Sequence, residues 1–178
     1  ETDFDTVDEI STRQYVNVDV RDAELCPAYF MQAAEVKIEP SPLWMRRRLH
    51  AAGLRGINNI VDVTNYVLLE VGQPMHAFDY KEISDKTIVV RRARKGETII
   101  PLNEKEYELD ENILVIADKS RPVGLAGVMG GLNSGIKPDT STVLLEAAEF
   151  NRENIRRTSR RLGIRSDSSA RFEKGVDS

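Results

Sequence analysis

Two histidines are present in 178 residues, and one of them, His76, sits in Gly-Gln-Pro-Met-His-Ala-Phe-Asp directly after an apolar helical pattern. Gly72 and Pro74 stop that helix. A side chain just past such a stop can point into a cleft, where an imidazole can hold or move a proton near neutral pH. A satisfied structural histidine is the competing reading. Asn65 and Thr64 lie one segment earlier on the helix. Asn65 reads as an ordinary polar helix position, and Thr64 is able simply to bond a backbone carbonyl one turn back. Glu146 interrupts the most apolar run of the chain, Val-Leu-Leu-Glu-Ala-Ala at 143 to 148. A carboxylate there must pair, face solvent or serve a ligand, because burying it alone is costly. Gly-Val-Met-Gly-Gly at 127 to 131 follows a strand pattern and can expose backbone amides to a ligand, or serve as a plain tight turn. It lacks the lysine and hydroxyl residue of a nucleotide-binding loop.

Other chemistries fail on spacing or count. Cys26 is the single cysteine, so no intramolecular disulfide or cysteine-rich metal site can form, and a buried small apolar role is expected for it. Two histidines without paired carboxylates do not build a zinc shell, and no metal is expected. No Gly-x-Ser-x-Gly elbow is present. His50, among Arg46, Arg47 and Arg48, reads as a surface residue. The net charge of −4 argues against a dedicated nucleic-acid-binding module while leaving room for a local basic patch. Such a patch is offered by Arg152, Arg156, Arg157, Arg160, Arg161 and Arg165, whose spacing is expected to spread them over much of a helix surface. No run approaches the ~18 apolar residues of a membrane span, and no signal peptide is recognisable. The chain begins at Glu1 and ends at Ser178 in a charged stretch, as expected of an internal piece of a longer cytoplasmic protein.

The elements that must position these residues follow from pattern. Residues 1–12 read as a flexible acidic arm and 13–178 as one domain. Valines at 16, 18 and 20 alternate with polar residues, the period of a half-buried strand. Residues 28–38 predict a second strand. Ser41 is expected to cap a helix with Pro42 at its first position and Gly53 beyond its end, burying Trp44 and Leu49, with Met45 a further candidate. A second helix spans 58 or 59 to 71, with a stripe at 60, 63, 67 and 71 widened by 61, 64 and 68. Strands follow near 88–90, 98–101, 107–109, 113–117, 123–128 and 143–148, with a turn at Asn103-Glu104. A third helix, 152–162, is capped by Asn151 and stopped by Gly163. Helices between strands, a run of strands and a final helix give an α+β fold with mixed sheets and flanking helices.

Several of these segments together resemble the editing domain of the bacterial phenylalanyl-tRNA synthetase beta subunit. The resemblance rests on Ile-Asn-Asn-Ile-Val-Asp-Val-Thr-Asn-Tyr-Val (57–67), residues 72–79, Leu-Ala-Gly-Val-Met-Gly-Gly (125–131), Leu-Leu-Glu-Ala-Ala (144–148) and Arg-Phe-Glu-Lys-Gly-Val-Asp (171–177), in order along nearly the whole chain. It implies a single compact domain of two intertwined subdomains that hydrolyses tyrosine wrongly attached to the phenylalanine tRNA. By the same resemblance Glu146 accepts the tyrosine hydroxyl with Gly130 assisting. His76, Asn65 and Thr64 would line the pocket and orient ester and water, and Met129, Ser166 and Ser168 would form its wall. Ser168 stands where the family often has alanine, which adds a hydroxyl to that wall. The resemblance further implies the tRNA 3′ end, free tyrosine and an alpha subunit as partners, in an assembly of two alpha and two beta subunits. ATP and magnesium are expected only at a separate synthetic site of the parent enzyme. The alternatives are a non-catalytic docking module for tRNA and the alpha subunit, and a stand-alone hydrolase of another aminoacyl ester.

Overall fold

Asn58 begins the helix that matters most to the site: its side chain accepts from Val61 N at 2.9 Å, and Gly72 ends the helix in the left-handed region at φ 82°. In the computed structural model, which describes residues 11–175, five helices and ten strands occur in chain order. They are α1 Thr12–Tyr15, β1 Asn17–Val20, β2 Ala28–Glu35, α2 Leu43–Ala51, α3 Asn59–Val71 and β3 Met75–Asp79. Then come β4 Thr87–Arg92, β5 Thr98–Ile99, β6 Tyr107–Glu108, β7 Leu114–Ala117, β8 Pro122–Leu125, β9 Met129–Gly130, β10 Thr142–Glu149, α4 Arg152–Leu162 and α5 Asp167–Lys174. The expected acidic arm falls, up to residue 10, outside the described residues. Its last two positions belong to structure: Ser11 caps α1, and Thr12 Oγ1 accepts from Ala33 N at 3.2 Å.

The strands form three sheets ordered β1-β4-β7-β8-β9, β2-β10-β3 and β5-β6. Only β1 with β4 is parallel among the described pairs, so the largest sheet is mixed, and the fold is α+β as its pattern predicts. The chain passes from the five-stranded sheet to the three-stranded one, back, and once more. A single apolar cluster joins them, with Phe78 and Leu144 from one sheet and Ile88, Val115 and Val123 from the other.

Two helices bury a different face from the one expected. In α3 the fully buried positions are Asp62, Thr64 and Leu68, while Val63 is 40% and Val71 70% exposed. Thr64 and Leu68, expected only to widen the stripe, therefore form its centre together with Asp62, because α3 must cover a partly polar cleft rather than a dry core. In α2, Met45 and Leu49 are buried, but Trp44 is half exposed and packs edge-on against Tyr66 with Arg48 over both rings. Pro42, not Ser41, occupies the cap position of α2. The Ser41 hydroxyl donates instead to the buried Asp62 at 2.5 Å, and Ile57 N donates to the same carboxylate at 2.8 Å. A buried carboxylate needs those two donors more than the helix needs its cap.

Four elements had no counterpart in the sequence pattern: α1, β3, β9 and α5. β3 contains His76, and α5 is capped by Ser166, whose side chain accepts from Ser169 N at 3.0 Å while the Ser169 hydroxyl oxygen accepts from Ser166 N at 3.0 Å. The Asn103-Glu104 turn exists, and Glu104 takes φ 62°, a conformation in which glycine is less strained.

Gly127 is the tightest point of the core. At φ 66°, a Cβ there would lie 2.9 Å from Ile155 and 3.0 Å from both Phe150 and Phe172. Gly127→Ala therefore suffers left-handed strain of about 1–2 kcal/mol and overpacking of about 1–3 kcal/mol. The expected outcome is a fall in unfolding free energy of roughly 2–4 kcal/mol, measured by urea titration at constant slope. A loss under about 0.5 kcal/mol would contradict the packing described.

Candidate functional site

β10 is the middle strand of its sheet and pairs on both sides. Glu146 lies opposite His76 of β3 and opposite Met31 of β2 in the antiparallel register. Side chains alternate along a strand, so Leu144, Glu146 and Ala148 share one face with Phe78 and His76, and with Ala33, Met31 and Tyr29. That face forms one wall of a cleft of about 250 Å³. His76 is thus aimed by strand pairing rather than by the Gln-Pro turn alone, a correction to the sequence-based expectation.

All eight candidate side chains or backbones line this cleft: Thr64, Asn65, His76, Met129, Gly130, Glu146, Ser166 and Ser168. Thr64 uses its hydroxyl on Val61 O at 2.8 Å, the backbone bond that competes with a ligand role. Asn65 has no side-chain hydrogen bond to the described residues, which leaves its amide open to the cleft. Ser166 donates to Val128 O at 2.6 Å and Ser168 to Gly127 O at 3.2 Å. The extra hydroxyl of Ser168 therefore goes to backbone: both serines clasp the 127–130 segment to the start of α5.

Gly130 is where two parts of the site touch. A Cβ on it would fall 2.2 Å from His76 Cε1 and 2.4 Å from Nε2, so only glycine lets β9 approach the imidazole. The Gly-rich segment is accordingly more than a tight turn, since Met129–Gly130 pairs with β8. The ring of His76 also stands edge-on to Phe78, with centroids 4.5 Å apart.

Burial pushes His76 and Glu146 toward neutrality. The His76 imidazole is lowered from 6.5 to about 4 by desolvation, and its Nε2 is shielded from water without a hydrogen-bond partner. Glu146 is raised by burial from 4.5 to about 7, with a hydrogen bond from the Tyr29 hydroxyl to Oε2 at 2.7 Å opposing the rise. Cys26 is buried as expected, and its thiol is pushed up to about 12, first by burial and then by the nearby Glu146 charge. No Lys or Arg is among the lining residues; Asp167, at the first position of α5, is the remaining ionisable one. Among the described residues no three His, Cys, Asp or Glu gather closely enough to hold a metal ion.

Sequence reasoning missed Tyr29, Asp167 and the apolar walls Leu68, Phe78 and Leu125. A Ser-x-x-Ser box could have revealed α5 and with it Asp167. Tyr29 becomes visible only once strands 117 residues apart are paired. Outside the cleft, α4 buries Asn154, Ile155, Thr158 and Ser159. Arg156, Arg157, Arg160 and Arg161 consequently share one outward face instead of spreading around the helix, with Arg161 paired to Asp110. No helix among the described residues is long and apolar enough to cross a membrane.

The architecture and its cleft define an α+β domain built around one small, mostly apolar recess with a buried acid in its wall. The chain belongs to the B3/4 domain family, whose model matches residues 25–178. It is 52% identical over 163 residues to the phenylalanine–tRNA ligase beta subunit of Carboxydothermus hydrogenoformans, covering 91% of this chain and 20% of that protein. The beta subunit of Bacillus licheniformis is likewise 52% identical over 164 residues, 92% of this chain and 20% of its own length. For Oceanobacillus iheyensis the match is 52% over 175 residues, 98% of this chain and 22% of the relative. The chain thus spans about a fifth of these relatives. In fold it is similar to an N-terminal fragment of the phenylalanyl-tRNA synthetase beta subunit from Pyrococcus horikoshii, with TM-score 0.51, 15% identity, and coverage of 78% of this chain and 45% of that one.

The two displaced titrations act on stability with opposite signs. The folded state holds the Glu146 proton more tightly than the unfolded chain, so this group's contribution is complete below about 4.5 and lost as pH rises to about 7. His76 contributes stability above 6.5 that is lost as pH falls to about 4. Glu146→Gln removes the first dependence and keeps the second. The difference in unfolding free energy, variant minus parent, should therefore climb by up to a few kcal/mol between pH 4.5 and 7. Denaturant melts across that range measure it; a flat difference would mean Glu146 is not held protonated by burial.

Proposed function

We propose that the cleft is an editing site, at which water hydrolyses tyrosine wrongly esterified to the phenylalanine tRNA. The observation that carries this reading is Glu146, a buried acceptor facing a recess of about 250 Å³, just below the roughly 300–1,000 Å³ usual for ligand clefts. A recess of that size suits one side chain. A tyrosine hydroxyl satisfies the second oxygen of the carboxylate, whereas phenylalanine leaves that oxygen without a partner, and such a site discriminates far better than an apolar pocket asked to reject an added hydroxyl by ~10². The lack of a lining cation also favours an ester over a free carboxylate, since an ester carbonyl carries no charge to neutralise.

Hydrolysis adds water across the ester: the water oxygen bonds to the acyl carbon, the ribose oxygen leaves with a proton, and free tyrosine departs. A histidine lowered to about 4 is a weak base at neutral pH, so His76 serves here as a neutral ring that shapes the wall beside Gly130 rather than as a general base. Asn65, the open amide of the cleft, orients the attacking water or ester, and Thr64 and Gly130 shape the space beside it. The terminal ribose hydroxyl of the tRNA can assist the proton transfer. In this reading the domain uses no cofactor. The parent protein pairs with an alpha subunit as two alpha and two beta chains in the cytoplasm, and uses ATP and magnesium at a separate synthetic site.

If Glu146 accepts the substrate hydroxyl, then above pH 7, where burial no longer keeps it protonated, Glu146→Ala loses a charged-acceptor hydrogen bond of roughly 1.5–3 kcal/mol. Deacylation of tyrosyl-tRNA by the full-length enzyme should then fall about one to two decades, and its preference over phenylalanyl-tRNA should shrink comparably. Glu146→Gln should lose less. A destabilised Glu146→Ala with unchanged preference would remove Glu146 from recognition and make it a structural acid.

The outward arginines of α4 support contact with the tRNA backbone, and this contact would persist if the domain were only a docking module. Arg156→Glu combined with Arg160→Glu should weaken tRNA binding and flatten its salt dependence by about one unit of slope per lost phosphate contact. Free tyrosine binding should be unaffected. A drop in tyrosine affinity with an unchanged salt slope would reassign the band to the cleft.

A further inference from the structure

Glu146 is approached from two sides that differ in character. On one side lies the cleft. On the other, Tyr29 of β2, which pairs with Ala148 one step along the same face, donates its hydroxyl to Oε2 at 2.7 Å. Tyr29 itself does not line the cleft. Glu146 Oε1 has no hydrogen-bond partner among the described residues and, unlike the shielded His76 Nε2, keeps some exposure. One carboxylate oxygen is therefore tied from behind, while the other is left for the recess.

We propose that Tyr29 is the positioning residue of this site: by fixing Oε2 it orients Oε1 toward the ligand hydroxyl and sets the tyrosine-over-phenylalanine preference. The inference rests on the reading of the cleft as an editing site and deepens it. A buried carboxylate with a free rotation about its last bonds would present either oxygen, or neither, to an incoming phenol. A charge-assisted O–H···O bond removes that freedom before the ligand arrives, so none of the ligand's binding is spent on ordering the acceptor.

The same contact tunes when the acceptor is charged. Tyr29 is held well above its ordinary value, chiefly by burial and then by the Glu146 charge, so it remains a donor throughout the useful pH range. Its hydrogen bond pulls Glu146 back against the burial that raises it to about 7. The other groups facing Glu146 stay uncharged near that pH: His76 from β3, lowered to about 4, and Cys26 from the segment before β2, raised to about 12. Across the cleft, Asp167 of α5 is the further ionisable lining residue. Glu146 is then the wall group that changes charge around neutrality, and losing the Tyr29 bond moves that change to higher pH.

The test uses the full-length enzyme and follows the ratio of tyrosyl-tRNA to phenylalanyl-tRNA deacylation from pH 5.5 to 8.5, a ratio insensitive to the folded fraction of a preparation. In the parent enzyme the ratio should rise with pH around a midpoint of about 7. Tyr29→Phe should lower the ratio about tenfold at pH 7, the cost of one hydrogen bond to a charged group, and carry the midpoint upward. Replacing Tyr29 by 3-fluorotyrosine, whose phenol is a stronger donor, should carry the midpoint downward. In a Glu146→Gln background the pH step should vanish, and Tyr29→Phe should change the ratio by less than threefold. If Glu146→Ala leaves the ratio unchanged, the reading of the cleft falls and this inference with it. If Glu146→Ala abolishes the preference while Tyr29→Phe changes neither ratio nor midpoint, only the role of Tyr29 is overturned.

Discussion

A carboxylate in the central strand of a sheet, walled by leucine, alanine and phenylalanine, is expensive to keep, and much of this structure can be understood as what makes it tolerable. Glu146 is 6% exposed and sits in the strand that holds β2 and β3 together. It is tolerated because burial drives it toward its neutral form and because Tyr29 supplies a donor. An imidazole directly across the sheet would ordinarily be drawn into an ion pair. Here the ring stays neutral, pressed between Phe78 and the bare backbone of Gly130. The result is a recess whose polar groups are present but only partly engaged.

The opposite wall is held by a clasp. Gly127 fits among Ile155, Phe150 and Phe172, and the two serines at the start of α5 each donate to a carbonyl of the 127–128 segment. The clasp connects the site to the core: the aromatic pair Phe150–Phe172, 5.1 Å between centroids, sits behind the glycine that sets the loop. Position 130 is then free to contribute backbone alone. Small residues at 127 and 130 have different causes, one steric crowding by the core and the other the approach of a single imidazole.

How much of this could be read in the sequence depends on the range of the interaction involved. Caps and stops are local, so α3 and α4 begin and end where Asn58, Gly72, Asn151 and Gly163 say they should. Glu146 was conspicuous because it breaks an apolar run. Which face a helix buries is not local: Val63 and Val71 have the right spacing for a core stripe yet face outward, because the cleft takes Thr64, Asn65 and Leu68 instead. Serine at 41 looked like a cap until Asp62, 21 residues away, claimed its hydroxyl. The arginines of α4 were misjudged for the same reason, since the side they occupy is set by what Asn154, Ile155 and Thr158 pack against. Tyr29 gave no local sign at all.

The order of the strands has a consequence for how such a chain comes into being. β2 and β3 do not pair with each other; each finds its partner in β10, and the Tyr29–Glu146 contact closes over 117 residues. On a ribosome, β2 and β3 emerge long before β10 does, and through that interval both carry unpaired backbone edges. At ~5–20 residues per second, the wait lasts several seconds. Chaperone contact during synthesis, and not any equilibrium property of the finished domain, is where this topology is most exposed. A nascent chain stalled anywhere before residue 142 would have no middle strand and therefore no recess.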